Sequence, residues 1–535
     1  LFFDEAHQQF VGTVANPWGT GWRLGLAWLA GLTASTGALL RGLTPRSNTW
    51  HLKGPRLLEG KEALREARRR SAPEQPGALL LHPALRLSKS QWSRHGLIYG
   101  SVGSGKTQIL LPIIEQIIAA NRKALIYDVK GDFTSLFRQP IIVSPFDKRS
   151  YVWDIAKDIR TPTQAAAFAA SVIPTDEGSG KYWSVAAQQL VIGVIRALQN
   201  ERGTSWAWPD LSQGVAQGAE QMLPMLQEHY AKAAPLVANA ESTSTASLLA
   251  TLATYTRVID DLAMAWPTVG ARRFSIAEWV RDDYTGRRQV IVQAGQDPSL
   301  TKAYIAAMVN VAVSEIIGPQ LPDNEQGRFL GFILDELSSI GRINIGPLID
   351  KGRSKGVVFL GGLQDLAQLR EIYGENMAKA LTSMVGLQVI CQMQLGESRD
   401  QLASMLGRHR VAWRPHGPNT QVHEESRAVI SGGELTDRLG PRQGKAYGPH
   451  GFGIRAIVQM GGDPLLLDFP GVVLPKAREG QVPAPWTTKP AGSTRRRDPA
   501  LVIRQPSDDE ATQTQQVLGL SPEQIAAIFR GKEHQ

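Results

Sequence analysis

The chain of 535 residues has one cysteine, Cys391, inside the apolar run LQVICQM. A single thiol excludes an intrachain disulfide and any cysteine-based metal cluster, which agrees with a reducing compartment for most of the chain. No internal repeat is visible, so a solenoid or propeller is not indicated. An initiator methionine is also lacking, since the first residue is Leu1, and the chain is expected to be a truncated one. Net charge is small outside one stretch. The formal net charge is +9, but residues 41–70 hold nine Lys/Arg against three Glu, so the remainder is nearly balanced and bulk charge says little about nucleic acid. What the chain has in plenty is apolar content, 42%, enough to fill the cores of two or more domains.

One apolar stretch stands out for its lack of charge. Residues 24–40, LGLAWLAGLTASTGALL, lie between Arg23 and Arg41 and have Trp18, Trp22 and Trp28 toward one end and the basic run at the other. Seventeen residues are at the short end for a membrane span, yet the aromatic and basic flanks fit the interfacial belt and the positive-inside rule. Residues 23–41 are therefore expected to span a membrane, with 1–22 outside as a short periplasmic segment and 42–84 inside as a basic linker. If residues 1–3 end an earlier span, the intact anchor would have two.

Residues 94–107 read RHGLIYGSVGSGKT. An apolar strand, a glycine-rich loop and an amphipathic helix follow one another, and Gly100, Gly105, Lys106 and Thr107 fit G-x-x-x-x-G-K-[ST]. Glycine lets the loop curl so that backbone N–H groups of Ser101, Val102, Gly103 and Ser104 turn toward phosphate oxygens, and the helix adds its positive end. Lys106 then reaches the terminal phosphates of ATP, and the Thr107 hydroxyl ligates Mg²⁺.

Strands and helices alternate after this loop: ALIYDVKGD (124–132), IIVSPFD (141–147), QVIVQAG (289–295), RFLGFILDE (328–336), VVFLGGLQ (357–364) and LQVICQM (387–393) read as buried strands. Such alternation predicts a parallel sheet covered on both faces. Strand signal disappears between about 155 and 287, where the patterns are helical, so an all-α domain is expected there, inserted between motor segments 85–154 and 288–470. Residues 453–460 and 464–469 read as edge strands. Beyond 470 proline and charge dominate, and 471–535 is expected to be disordered apart from a short helix over 521–531.

The apolar strand 328–334 ends in Asp335 and Glu336, the second half of an ATP site. Asp335 would hold the Mg²⁺ shell and Glu336 would polarise a water for attack on the γ-phosphate. In order, GSVGSGKT, IYDVKGD, the helical insertion with KYWSVAAQQL, FILDELSSI, DKGRSKG and GGLQDLAQLREIYG resemble the type IV coupling proteins of conjugation and type IV secretion, the TraD/TraG-like group. The resemblance covers about 85–469. It implies a RecA-like P-loop NTPase with an inserted all-α domain and an N-terminal anchor, in the bacterial inner membrane with most of the chain cytoplasmic. It further implies that Gln364 senses the γ-phosphate and that Arg353 is a finger reaching a neighbouring subunit's site. The partners implied are DNA in the channel of a homo-oligomeric ring, a hexamer by the resemblance, together with relaxase or relaxosome proteins and secretion-channel proteins. Two other functions fit the residues: a docking platform switched by nucleotide, and a double-strand DNA translocase of the FtsK kind, against which the large helical insertion argues.

Overall fold

Ten strands form the central sheet of the computed structural model: β1 (Gly96–Tyr99), β2 (Lys123–Asp128), β3 (Ile141–Val143), β4 (Gln289–Gln293), β5 (Leu330–Leu334), β6 (Val357–Leu363), β7 (Leu387–Ile390), β8 (Gly440–Gln443), β9 (Phe452–Gln459) and β10 (Leu465–Pro470). Their order is β8-β9-β7-β1-β6-β5-β2-β4-β3, with β10 paired to β9. All neighbours from β7 to β3 are parallel, and β8, β9 and β10 add on antiparallel. The structure describes residues 17–43, 49–176, 178, 180–267, 271–414 and 421–488.

The central strands are apolar without alternation because helices cover the sheet: every residue of β5 and of β6 is buried. The helix Lys106–Ala119 buries Ile109, Leu110, Ile113, Ile114 and Ile117 in the same core as Ile98, Ile126 and Ile333. Pro112 lies inside this helix, and the Gln116 side chain donates to the Pro112 carbonyl at 2.9 Å.

Between β3 and β4 the chain forms the helices Pro162–Val172, Gly180–Arg202, Trp208–Val215, Ala219–His229 and Thr243–Ala265. Their tryptophans are core residues. Trp153, Trp208 and Trp266 pack in sequence as tilted rings with centroids 5.5 and 5.6 Å apart, and Trp266 meets Tyr304 edge-on at 5.9 Å. Tyr304 belongs to the helix Pro298–Ile317 that follows β4, so this ladder joins the helical stretch to the sheet's own cover. One strand pair escaped the sequence reading of this stretch: Arg273–Phe274 pairs with Val152–Trp153.

At the N-terminal end a helix runs over Pro17–Leu43, 27 residues or about 40 Å, and so starts inside the segment expected to be external. Its Trp22, Leu26, Trp28, Leu29 and Leu32 are exposed. Among the described residues the only helix long and apolar enough to cross a membrane is Pro298–Ile317, most of which is buried in the fold.

Two further expectations need correction, and two features had none. β9 is not an edge strand, because β10 lies along one side while β7 and β8 share the other. Strand β8 and the three-stranded antiparallel sheet of Thr49–Lys53, Arg408–Trp413 and His423–Ala428 carried no clear signal, since their exposed polar residues mask the period of two. Residues 471–482, expected to be disordered, are tied down by backbone pairing: Gly471 N–H donates to the Phe452 carbonyl at 2.7 Å and Ala477 N–H to the Ser135 carbonyl at 2.7 Å. Contacts divide the chain into Leu1–Val482 and Pro483–Gln535, and the described part of the second unit contains the short helix Pro485–Thr488. The expected helix over 521–531 lies outside the described residues.

Candidate nucleotide site

Parallel strands present their carboxyl ends at one edge, and loops there form the crevice in which α/β sheets bind ligands. In this chain β1, β6, β5 and β2 are consecutive neighbours, so the loops after them are brought together. The resulting cleft is lined by the phosphate loop, Ser101 to Thr107, by Gln364 after β6, by Asp335 and Glu336 after β5, and by Asp128 and Lys130 at the end of β2.

The loop is fixed at both ends. Gly100 N–H donates to the Leu363 carbonyl and Ser101 N–H to the Gln392 carbonyl, both at 3.0 Å, while the Ser101 hydroxyl accepts from Gln394 N–H at 2.9 Å. Gly105 turns the chain into the helix at φ 96°, and a Cβ there would stand 2.3 Å from Ile454 of β9. Only glycine meets both demands. Lys106 then follows as the first helical residue, 9% exposed, and its ammonium donates back to the Gly100 carbonyl. Burial lowers its affinity for a proton, while Glu336 and Asp335 oppose that shift.

β6 lies between the phosphate-loop strand and the strand of the acidic pair, which is why Gln364 meets Glu336. The close approach depends on Gly362, where a Cβ would stand 1.8 Å from the Asp335 carbonyl oxygen. The Gln364 amide donates to Glu336 Oε2, and the Ser338 hydroxyl donates to Oε1 at 2.6 Å. Asp335 is raised to about 6, mainly by burial, with Lys106 pulling it down and Glu336 pushing it up.

Two buried oxygens in the cleft, Asp335 Oδ1 and Ser104 Oγ, have no hydrogen-bond partner among the described residues. An unpartnered buried carboxylate oxygen near the Thr107 hydroxyl suits a hard divalent cation with oxygen ligands, and the loop's N–H groups suit phosphate. The residues present thus fit Mg²⁺ and a nucleoside triphosphate.

Arg353 is not in this cleft. It caps the helix Ile345–Gly352 ahead of β6, at the sheet edge opposite the phosphate loop, half exposed and paired with Glu325 at 3.3 Å. Asp128 and Lys130 carried no assigned role in the sequence reading. The signal available for them was the acid at the end of a buried strand, which here is the neighbour of the Asp335 strand.

Residues 79–432 match the family model of the type IV secretion-system coupling protein DNA-binding domain. The chain belongs to this family. Among curated relatives, the coupling protein TraD of Escherichia coli strain K12 is 23% identical over 292 residues, covering 53% of this chain and 40% of TraD. The chain therefore matches less than half the length of that relative. The solved coupling protein TrwB, without its first 70 residues and unbound, superposes with a TM-score of 0.67 at 21% identity, covering 81% of this chain and 96% of that one. TrwB in complex with ADP and Mg²⁺ gives 0.66 at 20% identity, covering 82% and 99%. The coupling-protein fold, a mostly parallel RecA-like sheet with helices packed on it, is thus common to these chains.

Proposed function

We propose that this coupling protein is a membrane-anchored ATPase that couples ATP hydrolysis to recruitment and translocation of DNA, or of a DNA–protein substrate, into a type IV secretion or conjugation channel. The observation that carries the reading is the meeting of Lys106, Asp335, Glu336 and Gln364 in one cleft. The TrwB complexes with ADP and Mg²⁺ and with a non-hydrolysable ATP analogue support a nucleotide-binding reading of this fold.

In this reading the backbone of Ser101, Val102, Gly103, Ser104 and Gly105 cradles the phosphates, and Lys106 neutralises charge on the β and γ groups. Thr107 and Asp335 would hold Mg²⁺, Asp335 directly or through water. When bound, the cation would supply charge stabilisation to the phosphates. Glu336 orients and polarises the attacking water, and Gln364 holds that carboxylate until nucleotide fills the cleft. Because Arg353 stands at the opposite edge of its own sheet, its role as a finger is served only by a neighbouring subunit's site, which fits a ring, as a hexamer.

The same reading assigns residues 23–41 to the inner membrane, 85–154 and 288–470 to the motor, and 155–287 to the all-α domain. DNA would pass through the ring, with relaxase and channel proteins as partners. Hydrolysis assayed on the full chain with and without single- and double-stranded DNA tests this proposal. Nucleotide binding with no hydrolysis under any of these conditions would favour the switched docking platform.

A further inference from the structure

The cleft has an electrostatic deficit. Its wall carries four carboxylates, Asp128, Asp132, Asp335 and Glu336, against Lys106 and Lys130. A triphosphate brought to such a wall needs every cation within reach, and Arg353 of the same chain is not among them. Lys106, which donates to the loop carbonyl of Gly100, is one of only two cations lining this cleft among the described residues. Lys130 is exposed, lies on the cleft wall and has no ion-pair partner among the described residues. Lys106 and Asp335 line the same cleft, and the Lys130 charge lowers the proton affinity of both.

A long lysine side chain serves a fixed site only if its backbone is fixed, and the 128–134 loop is braced from both sides. The Asp128 carboxylate, 1% exposed, accepts from Gly131 N–H at 2.8 Å and from the Thr134 N–H and hydroxyl, each at 2.7 Å. Buried Gln293 donates to the Thr134 hydroxyl at 2.9 Å and to the Gly480 carbonyl at 2.8 Å, which links the loop to the 471–482 segment. Gly131 rests on that segment so closely that a Cβ would stand 2.9 Å from the Gly480 carbonyl carbon. Arg149 grips the segment in turn, donating to the Glu479 carbonyl at 2.7 Å and the Gly480 carbonyl at 3.1 Å. So many backbone restraints on a loop with one free cation indicate a preorganised contact rather than a solvated charge.

We propose that Lys130 is a second phosphate-binding cation of this cleft, supplied in cis, which contacts the terminal phosphate of a bound nucleoside triphosphate from the β2 side. The inference deepens the ATPase reading and rests on it. It predicts selectivity for the triphosphate over the diphosphate, because a diphosphate lacks the group that Lys130 touches.

Titration calorimetry of the full chain with ADP and with the non-hydrolysable analogue ADPNP, each with Mg²⁺, measures that selectivity. For Lys130→Ala, ADPNP affinity is expected to fall about tenfold or more, the range of a lost charge-assisted contact, while ADP affinity changes less than about twofold. Lys130→Arg should restore most of the difference. Equal losses for both nucleotides, or none for either with hydrolysis within about twofold of wild type, would overturn the role of Lys130. Wild-type protein that binds neither nucleotide, or Lys106→Ala that binds ADPNP as wild type does, would instead overturn the ATPase reading beneath it.

Discussion

Gln364 donates its side-chain amide to the carboxylate of Glu336, although 28 residues separate them in sequence. Ser338 occupies the other carboxylate oxygen. Both oxygens of the proposed water-polarising group therefore carry one hydrogen bond, and each retains acceptor capacity for a water. A nucleotide that draws Gln364 toward its terminal phosphate would free more of that capacity at the moment of need.

Glu336→Gln should retain ATP and lower steady-state hydrolysis about 100-fold or more, since the general-base contribution is lost from the transition state alone. Gln364→Ala should keep ADP affinity within about twofold and lower kcat less severely. A Gln364→Ala variant that hydrolyses ATP like wild type would remove the amide from the mechanism, whatever Glu336 does.

The raised carboxyl of Asp335 gives a pH signature. With this group near 6 in the free protein, a proton competes with Mg²⁺ below that pH and not above it. Mg²⁺-dependent nucleotide affinity should fall as pH drops through about 6, approaching one proton taken up per cation lost, and should level off above about 7. Asp335→Asn should bind Mg²⁺–nucleotide more weakly with this dependence abolished. A flat profile in the wild type between pH 5 and 7 would contradict the role of Asp335 as cation holder.

Arg353 supplies a test of shared sites. Mixtures of Arg353→Ala and Lys106→Ala subunits should recover some ATPase activity, because some interfaces then pair an intact phosphate loop with an intact arginine. No recovery in rings shown by mass to contain both subunits would defeat the finger in trans.

The phosphate loop and the DE strand end were readable because each is a local pattern whose chemistry demands fixed residues at fixed spacing. Legible too was the alternation that makes a parallel sheet, since strands buried on both faces must be apolar throughout. Other features depended on contacts distant in sequence. The place of β9 inside the sheet follows from its pairing with β7, β8 and β10, which no local pattern encodes. The ordering of 471–482 comes from Ser135, Asp147 and Gln293, residues more than 180 positions away for Gln293. Lys130 stood inside the quoted stretch IYDVKGD, yet only the adjacency of β2 and β5 brings it to the cleft.

Topology gives a fourth test. The Cys391 thiol is buried and pushed up to about 12, so it does not compete with an introduced cysteine for thiol reagents. Lys61→Cys, on an exposed helix position in the basic segment, should resist a membrane-impermeant reagent in intact cells and react once the inner membrane is permeabilised. Labelling in intact cells would place the basic segment outside and reverse the proposed orientation.

The central claim is that this cleft hydrolyses ATP in the service of DNA movement. ATP turnover by the full chain in lipid nanodiscs, measured with and without DNA for the wild type, Lys106→Ala and Glu336→Gln, tests it most directly. The account predicts turnover in the wild type that rises severalfold with DNA and is lost in both variants, with ATP still bound by Glu336→Gln. Wild-type turnover indifferent to every DNA tested, or unchanged in Glu336→Gln, would contradict it.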